Sequence, residues 1–417
     1  MQDTPLIGPI KQFQQVDIVG SGIAGLVLGF YLKQAKIPFT LYEKSEHIGG
    51  KIKTTKRSYG IAESAANAIF ANQAIINLLR QLKLDWIKAG PKLKRLIWTS
   101  HGVINSPLNF RIVFKILSGL FKKVATEKKR EEMSVAEFFT PWLGRDFVDE
   151  VISTGLQGIY ADKADNILFS ALWPEFKQGH RYYQFILHLF RMRRLSQTYG
   201  SISFKNGMGE LVEKLKSELQ NNIQSSHTVT QINPKNLTII CTDANDAGDI
   251  LGKNHPTLAK LLFAIEYNGV NTTTIFLKNK IEKLNGAFGV LFSAQAQEKF
   301  QTYGVLNNSE IFTFRSSPNF HSYTIINSSQ IELKDIKNDL LKIGAHLPFE
   351  DMQTIQWSRA IPCYNLNRKK QMELIFDQLP PNVGLFASYT NGVSIRHMIN
   401  FAPKIIARIT GSYQAGQ

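Results

Sequence analysis

Gly20, Gly22, Gly25 and Glu43 are the residues whose types and spacing first imply chemistry. The first three make a G-x-G-x-x-G turn, with Gly20 for the tight bend, Gly22 for close approach of a pyrophosphate to the backbone, and Gly25 for close packing of helix on strand. Glu43 would accept hydrogen bonds from an adenosine ribose, with Lys44 beside it. Elements able to position these groups are legible around them. Val16, Ile18 and Val19 form a short apolar strand, Leu26 to Gln34 a helix, and Phe39 to Tyr42 a second strand ending at Glu43. Ile23 and Ala24 lie in the turn that leads into that helix, whose N-terminus offers unpaired N–H groups and a positive dipole end to an anion. Small residues at such a turn can serve packing alone. Here strand, helix, strand and terminal acid all fall at the spacing that dinucleotide binding needs.

A second glycine pair decides which dinucleotide. Gly49-Gly50, followed by Lys51, Ile52, Lys53 and Thr54, completes a pattern E-x5-G-G-x-I-x-T that a simple NAD site does not require. FAD continues past its pyrophosphate into a ribityl chain and an isoalloxazine, and a Gly-Gly loop can run against it without Cβ clashes. The expected cofactor is FAD.

Further segments in matching order resemble the flavin-containing amine oxidase and protoporphyrinogen oxidase superfamily, most of all its protoporphyrinogen oxidase branch. These are Ala62-Glu63-Ser64, then GIYADKADNILFSALWP from Gly158 to Pro174, FKNGMGEL from Phe204 to Leu211, and VTQI from Val229 to Ile232. WSRAIPCY from Trp357 to Tyr364 and GLFASYTNGVSI from Gly384 to Ile395 complete the set. The resemblance implies an α/β (α+β overall) chain in which an FAD-binding Rossmann-like domain is interleaved with a mixed-sheet substrate domain and a helical insertion. It places Val229 at the adenine end and Gly392, Val393 and Ser394 in the closing flavin segment. It implies six-electron oxidation of a porphyrinogen with O2 as acceptor. It also makes Arg95, at the head of RLIWTSHGVINSP, a binder of a substrate propionate, with Arg359 as a second candidate. Lys51 stands where the family usually has Arg, Ser64-Ala65-Ala66 replaces a Gly-Pro pair, and Ser388 replaces a Gly.

Composition narrows the partners. The chain has 417 residues, 49 Lys and Arg against 33 Asp and Glu, and a net charge of +16. Such an excess suits an anionic partner. No zinc-knuckle spacing, RNP-like motif or helix-turn-helix signal accompanies it, which leaves out nucleic acid. The excess concentrates in Leu108 to Arg130 and His180 to Leu195, where apolar residues alternate with basic ones at helical spacing. Both read either as core-facing helices with a basic edge or as interfacial helices on an anionic membrane surface. The resemblance favours the second, hence peripheral association, while the two isolated thiols fit a reducing cytoplasm. No apolar run of about eighteen residues predicts a membrane span, and the N-terminus does not read as a signal peptide. Cys241 and Cys363 are too isolated to suggest a disulfide or metal site.

The expected organisation is interleaved: 1–90 for the first FAD part, 91–200 helical and basic, 201–262 for the second FAD part, 263–374 for the substrate domain, and 375–417 closing the FAD domain. Strands are expected over 228–242, Thr272 to Leu277 and Phe312 to Phe314, and helices over 204–219, Leu333 to Ile343 and Ser394 to Ile409. No metal cluster and no Ser-His-Asp set is predicted, and no catalytic residue is assigned, since aromatisation drives porphyrinogen oxidation and the cofactor carries the chemistry. His397 could approach the flavin edge. The chain is expected to be a monomer or homodimer. Two other readings stand beside this one: another amine oxidase or isoprenoid desaturase of the superfamily, and a non-catalytic FAD-binding module.

Overall fold

The computed structural model describes residues 13–90, 93–105, 132–174, 176, 183–188, 191 and 199–411. The basic segment 108–130 lies outside the described residues, as does most of 180–195. Within the latter, Phe185 is buried in an aromatic cluster with Phe138, Phe139 and Phe169, while Leu187 is 62% exposed. Among the described residues, no helix is long and apolar enough to cross a membrane.

Two sheets organise the chain. The first has five parallel strands in the order Ile223–Gln224, Phe39–Tyr42, Val16–Val19, Leu237–Ile240, Val383–Leu385. Val16–Val19 is buried at every residue, as expected for a central strand covered on both faces. The Ile23–Gln34 helix packs on one face together with the Gly209–Leu219 and Ile395–Ile409 helices. The strand order reverses direction beside Val16–Val19, and ligands of open α/β sheets sit in the crevice beyond such a point.

The second sheet has seven strands: Asp351–Pro362, Tyr267–Leu277, His321–Ser328, Thr302–Asn307, Ala287–Phe292, Lys94–Thr99 and Gly102–Ile104. Its pairings are antiparallel except for Ala287–Phe292 with Lys94–Thr99. One face, with Leu96, Ile275, Val290, Val305, Tyr323 and Ile325, packs on the Leu333–Lys342 helix. The opposite face carries Ile97, Leu291, Leu306, Ile326 and Ile355, each only half-buried. That face looks toward the first domain: Gln353 Nε2 reaches Thr55 at 3.4 Å, and Trp357 Nε1 donates to the Ser64 carbonyl at 2.8 Å.

Three local expectations are corrected. Within 228–242 only Leu237–Ile240 is a strand, and the VTQI stretch is irregular. Its hydroxyl and amide side chains line a polar cavity of about 310 Å³ instead of joining a ladder. Phe312 to Phe314 does not form a strand, because Thr313–Arg315 is a 3-10 turn. There the Phe312 and Phe314 rings lie 5.4 and 5.6 Å from the Arg315 guanidinium. Lys94–Thr99 and Gly102–Ile104, inside a stretch expected to be mainly helical, are strands, because Leu96 alternates with Arg95 and Ile97 across the sheet.

Candidate active site

The glycines of the first turn are held by contacts rather than by propensity. A Cβ on Gly25 would lie 2.0 Å from the Gly20 carbonyl oxygen, and Gly20 itself has φ +102°. Gly22 differs: a Cβ there would meet nothing within 4 Å. That open space lies before the start of the Ile23–Gln34 helix, which has no side-chain cap, so its first N–H groups, including those of Ile23 and Ala24, are left for an incoming anion. The Gly49-Gly50 loop folds onto the same turn. Gly49 donates to the Ser21 carbonyl at 3.0 Å, and a Cβ on Gly50 would lie 3.1 Å from the Gly22 Cα.

Glu43 sits at the end of its strand with both oxygens engaged. Oε2 accepts from the N–H and hydroxyl of Ser21 at 2.9 and 2.8 Å, and Oε1 from those of Ser45 at 3.0 and 3.1 Å. Burial acts to raise this carboxyl, but the Ser21 and Ser45 hydrogen bonds outweigh it and hold the group below its ordinary value. The two serine hydroxyls can rotate away and yield their places to ribose hydroxyls, while the two backbone donors stay. Val229 lines the polar cavity beside Tyr42 and His227, and the His227 N–H is bonded to the Glu43 carbonyl at 2.8 Å. These features fit the adenosine and pyrophosphate half of FAD.

The closing segment presents the other half. Gly392 has φ +100°, and Ser394 caps the Ile395–Ile409 helix through the His397 N–H at 3.1 Å. A Cβ on Gly392 would fall 2.4 Å from His397 Nδ1, a buried atom without a hydrogen-bond partner among the described residues. Burial and then the neighbouring Arg396 charge hold the His397 imidazole below its ordinary pKa. Val393 packs against the aromatic cluster of the helical region, as do Tyr160 and Ile361.

Charged residues expected in the site have mixed fates. Lys51 donates to the carbonyls of Arg359 and, at 2.9 Å, Ala360, tying the Gly-Gly loop to the end of the Asp351–Pro362 strand. Burial holds its ammonium below the ordinary lysine range. Lys44 is paired with Asp246 at 2.7 Å. Arg359, expected at the substrate, donates to Asp243 at 3.0 Å and is neutralised there, next to the Gly20 turn. Arg95 is exposed on the edge of the half-buried apolar face, 5.0 Å from the Phe288 ring centroid.

A buried pair across the two domains was not foreseeable from either sequence neighbourhood. Glu63 Oε1 accepts from Arg315 and from the Met208 N–H at 2.8 Å, while Oε2 accepts from Thr54 at 2.6 Å. Arg315 also donates to the Asn67 carbonyl and to Ser203, both at 2.7 Å. Glu63 was legible as an acid after the glycine loop. No local signal marks Arg315 as its partner, 252 residues away. Tyr389 is fully buried, and Tyr364 is nearly so, with its hydroxyl on the Ser388 carbonyl at 2.7 Å. Neither ring is open to a ligand. Cys241 and Cys363 are free and buried, and burial pushes the Cys363 thiol up to about 11. Among the described residues there is no group of metal-binding side chains.

A dinucleotide turn with a second glycine loop, a closing helix cap and a facing mixed sheet defines an FAD-dependent oxidoreductase. The chain belongs to the flavin containing amine oxidoreductase family, whose model matches residues 23–249. It is 23% identical to "Protoporphyrinogen oxidase 2, chloroplastic/mitochondrial" of Arabidopsis thaliana over 87% of this chain and 86% of the relative. It is 23% identical to "Coproporphyrinogen III oxidase" of Bacillus subtilis (strain 168) over 50% of this chain and 51% of the relative. Among solved structures, a provisionally named protoporphyrinogen oxidase from Exiguobacterium sp. 255-15 superposes with TM-score 0.75 at 16% identity, covering 97% of this chain and all of the other. A reduced UDP-galactopyranose mutase superposes with TM-score 0.74 at 13% identity, covering 97% of this chain and 95% of the other. Likenesses at these identities show the fold.

Proposed function

We propose that the chain oxidises a porphyrinogen, with O2 as the final electron acceptor. The observation that carries this reading is the half-buried apolar face of Ile97, Leu291, Leu306, Ile326 and Ile355, with Arg95 at its edge. The Thr154–Tyr160 helix lies against it, since a Cβ on Gly158 would come 2.9 Å from Leu291 Cδ2. Such a floor suits a broad, flat, apolar ring system, and an edge arginine suits its carboxylates. The printed names of the relatives agree with that substrate class. FAD, when bound, supplies the acceptor for a hydride. The residues of this chain bind and orient: the Gly20–Gly25 turn holds the phosphates, the Gly49-Gly50 loop and Gly392 let the cofactor lie close, and the apolar face excludes water from the ring. An amine oxidase reading is less well served, because the Tyr389 and Tyr364 rings are buried and cannot cage an amine.

Anaerobic mixing of FAD-loaded protein with protoporphyrinogen IX, coproporphyrinogen III and a panel of amines tests the reading. Flavin bleaching by a porphyrinogen and not by amines is expected; bleaching by amines alone would defeat the proposal, and bleaching by none would favour a binding module. Arg95→Ala should raise KM for the porphyrinogen about ten- to a hundredfold, the loss of one charge-assisted pair, with kcat and FAD content little changed.

A further inference from the structure

We propose that Arg396 is a second anchor for a substrate carboxylate, an inference that rests on the porphyrinogen reading above. Arg396 is half-buried in the first turn of the Ile395–Ile409 helix, two residues after Ser394. Its guanidinium lies 5.7 Å from the Phe70 ring centroid, and among the described residues no carboxylate or carbonyl accepts from it.

Among the described residues, the other interior and domain-bridging arginines are satisfied. Arg315 is paired with Glu63, Arg57 with Asp351, and Arg359 with Asp243, while Arg368 gives two donors to the Tyr389 carbonyl. Arg396 also stands at the wrong end of its helix for a cation, since the first turn carries the positive end of the dipole and here holds no acidic residue. Partial burial, with no counter-ion among the described residues, adds to that cost, and the burial depresses the guanidinium below its ordinary value. A carboxylate would relieve both costs at once, gripped through two parallel N–H donors above an aromatic wall.

The position agrees with a ligand site between the domains. Asn400, one turn further on, is bonded to Asn72 at 3.0 Å, so this stripe of the helix faces the 70–72 segment. That segment continues from Asn67, whose carbonyl holds Arg315 of the facing domain. The phosphates of the cofactor are served elsewhere, by the Gly20–Gly25 turn, which leaves the substrate as the source of the missing anion.

Titration of FAD-loaded protein with coproporphyrin III and with its tetramethyl ester, in one detergent buffer and followed by porphyrin fluorescence, tests the anchor. Arg396→Gln should weaken binding of the acid about ten- to a hundredfold and leave the ester unchanged, and Arg396→Lys should recover part of the loss. FAD content and flavin reduction potential should be equal in all three proteins. Equal affinity of wild type and Arg396→Gln for the acid overturns the anchor and leaves the porphyrinogen reading standing. An altered flavin potential with unchanged acid affinity assigns Arg396 to the cofactor and overturns the anchor as well. Failure of the wild type to bind the acid overturns the porphyrinogen reading, and the anchor with it.

Discussion

The parallel sheet and the seven-stranded sheet solve their binding problems with different parts of the chain. At the end of the parallel sheet the backbone does the work, so the residues that matter are those that lack side chains: Gly20, Gly22 and Gly25, then Gly49 and Gly50. On the mixed sheet the proposed substrate face is made by side chains of alternate parity on strands drawn from residues 94–99 and 287–355. A site made of backbone announces itself through local spacing. A site made of a sheet face is scattered until the register is known.

The largest effect expected from that contrast lies where the two regions meet. Arg315→Met would strand Glu63 in the interior, and breaking a buried pair from one side costs about 3–5 kcal/mol. Chemical denaturation should show this as a lowered midpoint, and a midpoint within error of wild type would mean that the domains do not depend on the pair.

Two glycines three residues apart sharpen the comparison within the first region. Gly25→Val drives a side chain into the Gly20 carbonyl and should destabilise the fold by several kcal/mol. Gly22→Val meets open space, so the protein should fold with near-normal stability and yet lose FAD. Thermal melts of the apo proteins beside flavin absorbance after reconstitution separate the two. A Gly22→Val protein with a full flavin spectrum would remove the pyrophosphate from this turn.

The smallest effect concerns the partly exposed pair between Arg57, at the end of the Thr54–Arg57 strand, and Asp351 on the mixed sheet. Hydrogen bonds from Arg57 hold the Asp351 carboxyl below its ordinary range. A depressed carboxyl contributes stability that is present above the unfolded value of about 4 and is lost as pH falls through the folded value. Arg57→Met should therefore cost up to about 1 kcal/mol from pH 5 to 8, with the difference from wild type shrinking below pH 4. Melting temperatures across that series, at low and high salt, measure it. A gap that stays constant down to pH 2 would mean the arginine acts through packing.

How much the chain announced in advance follows the same division. The Val16–Val19 and Phe39–Tyr42 strands, the helix between them and the Leu333–Lys342 helix were legible, because period and flanking glycines act over a few residues. The strand expected over VTQI failed, because the edge strand beside Phe39–Tyr42 is already taken by Ile223–Gln224. Arg359 looked free beside Trp357, but its neutralising Asp243 is 116 residues distant. Arg396 carried no motif at all. What singles it out is the absence of a hydrogen-bonding partner among the described residues, which only a folded structure can reveal.

The parallel sheet has a consequence for how the protein is made. Its first strand is made well before the edge strand Val383–Leu385 and the Ile395–Ile409 helix that packs on the Ile23–Gln34 helix. At about 5–20 residues per second, the opening turn waits roughly 20–70 s for its cover. Through that interval the flank of the Ile23–Gln34 helix that the Ile395–Ile409 helix covers is without that cover. The cover over the cofactor turn is therefore complete only after the residues of the Ile395–Ile409 helix have been made.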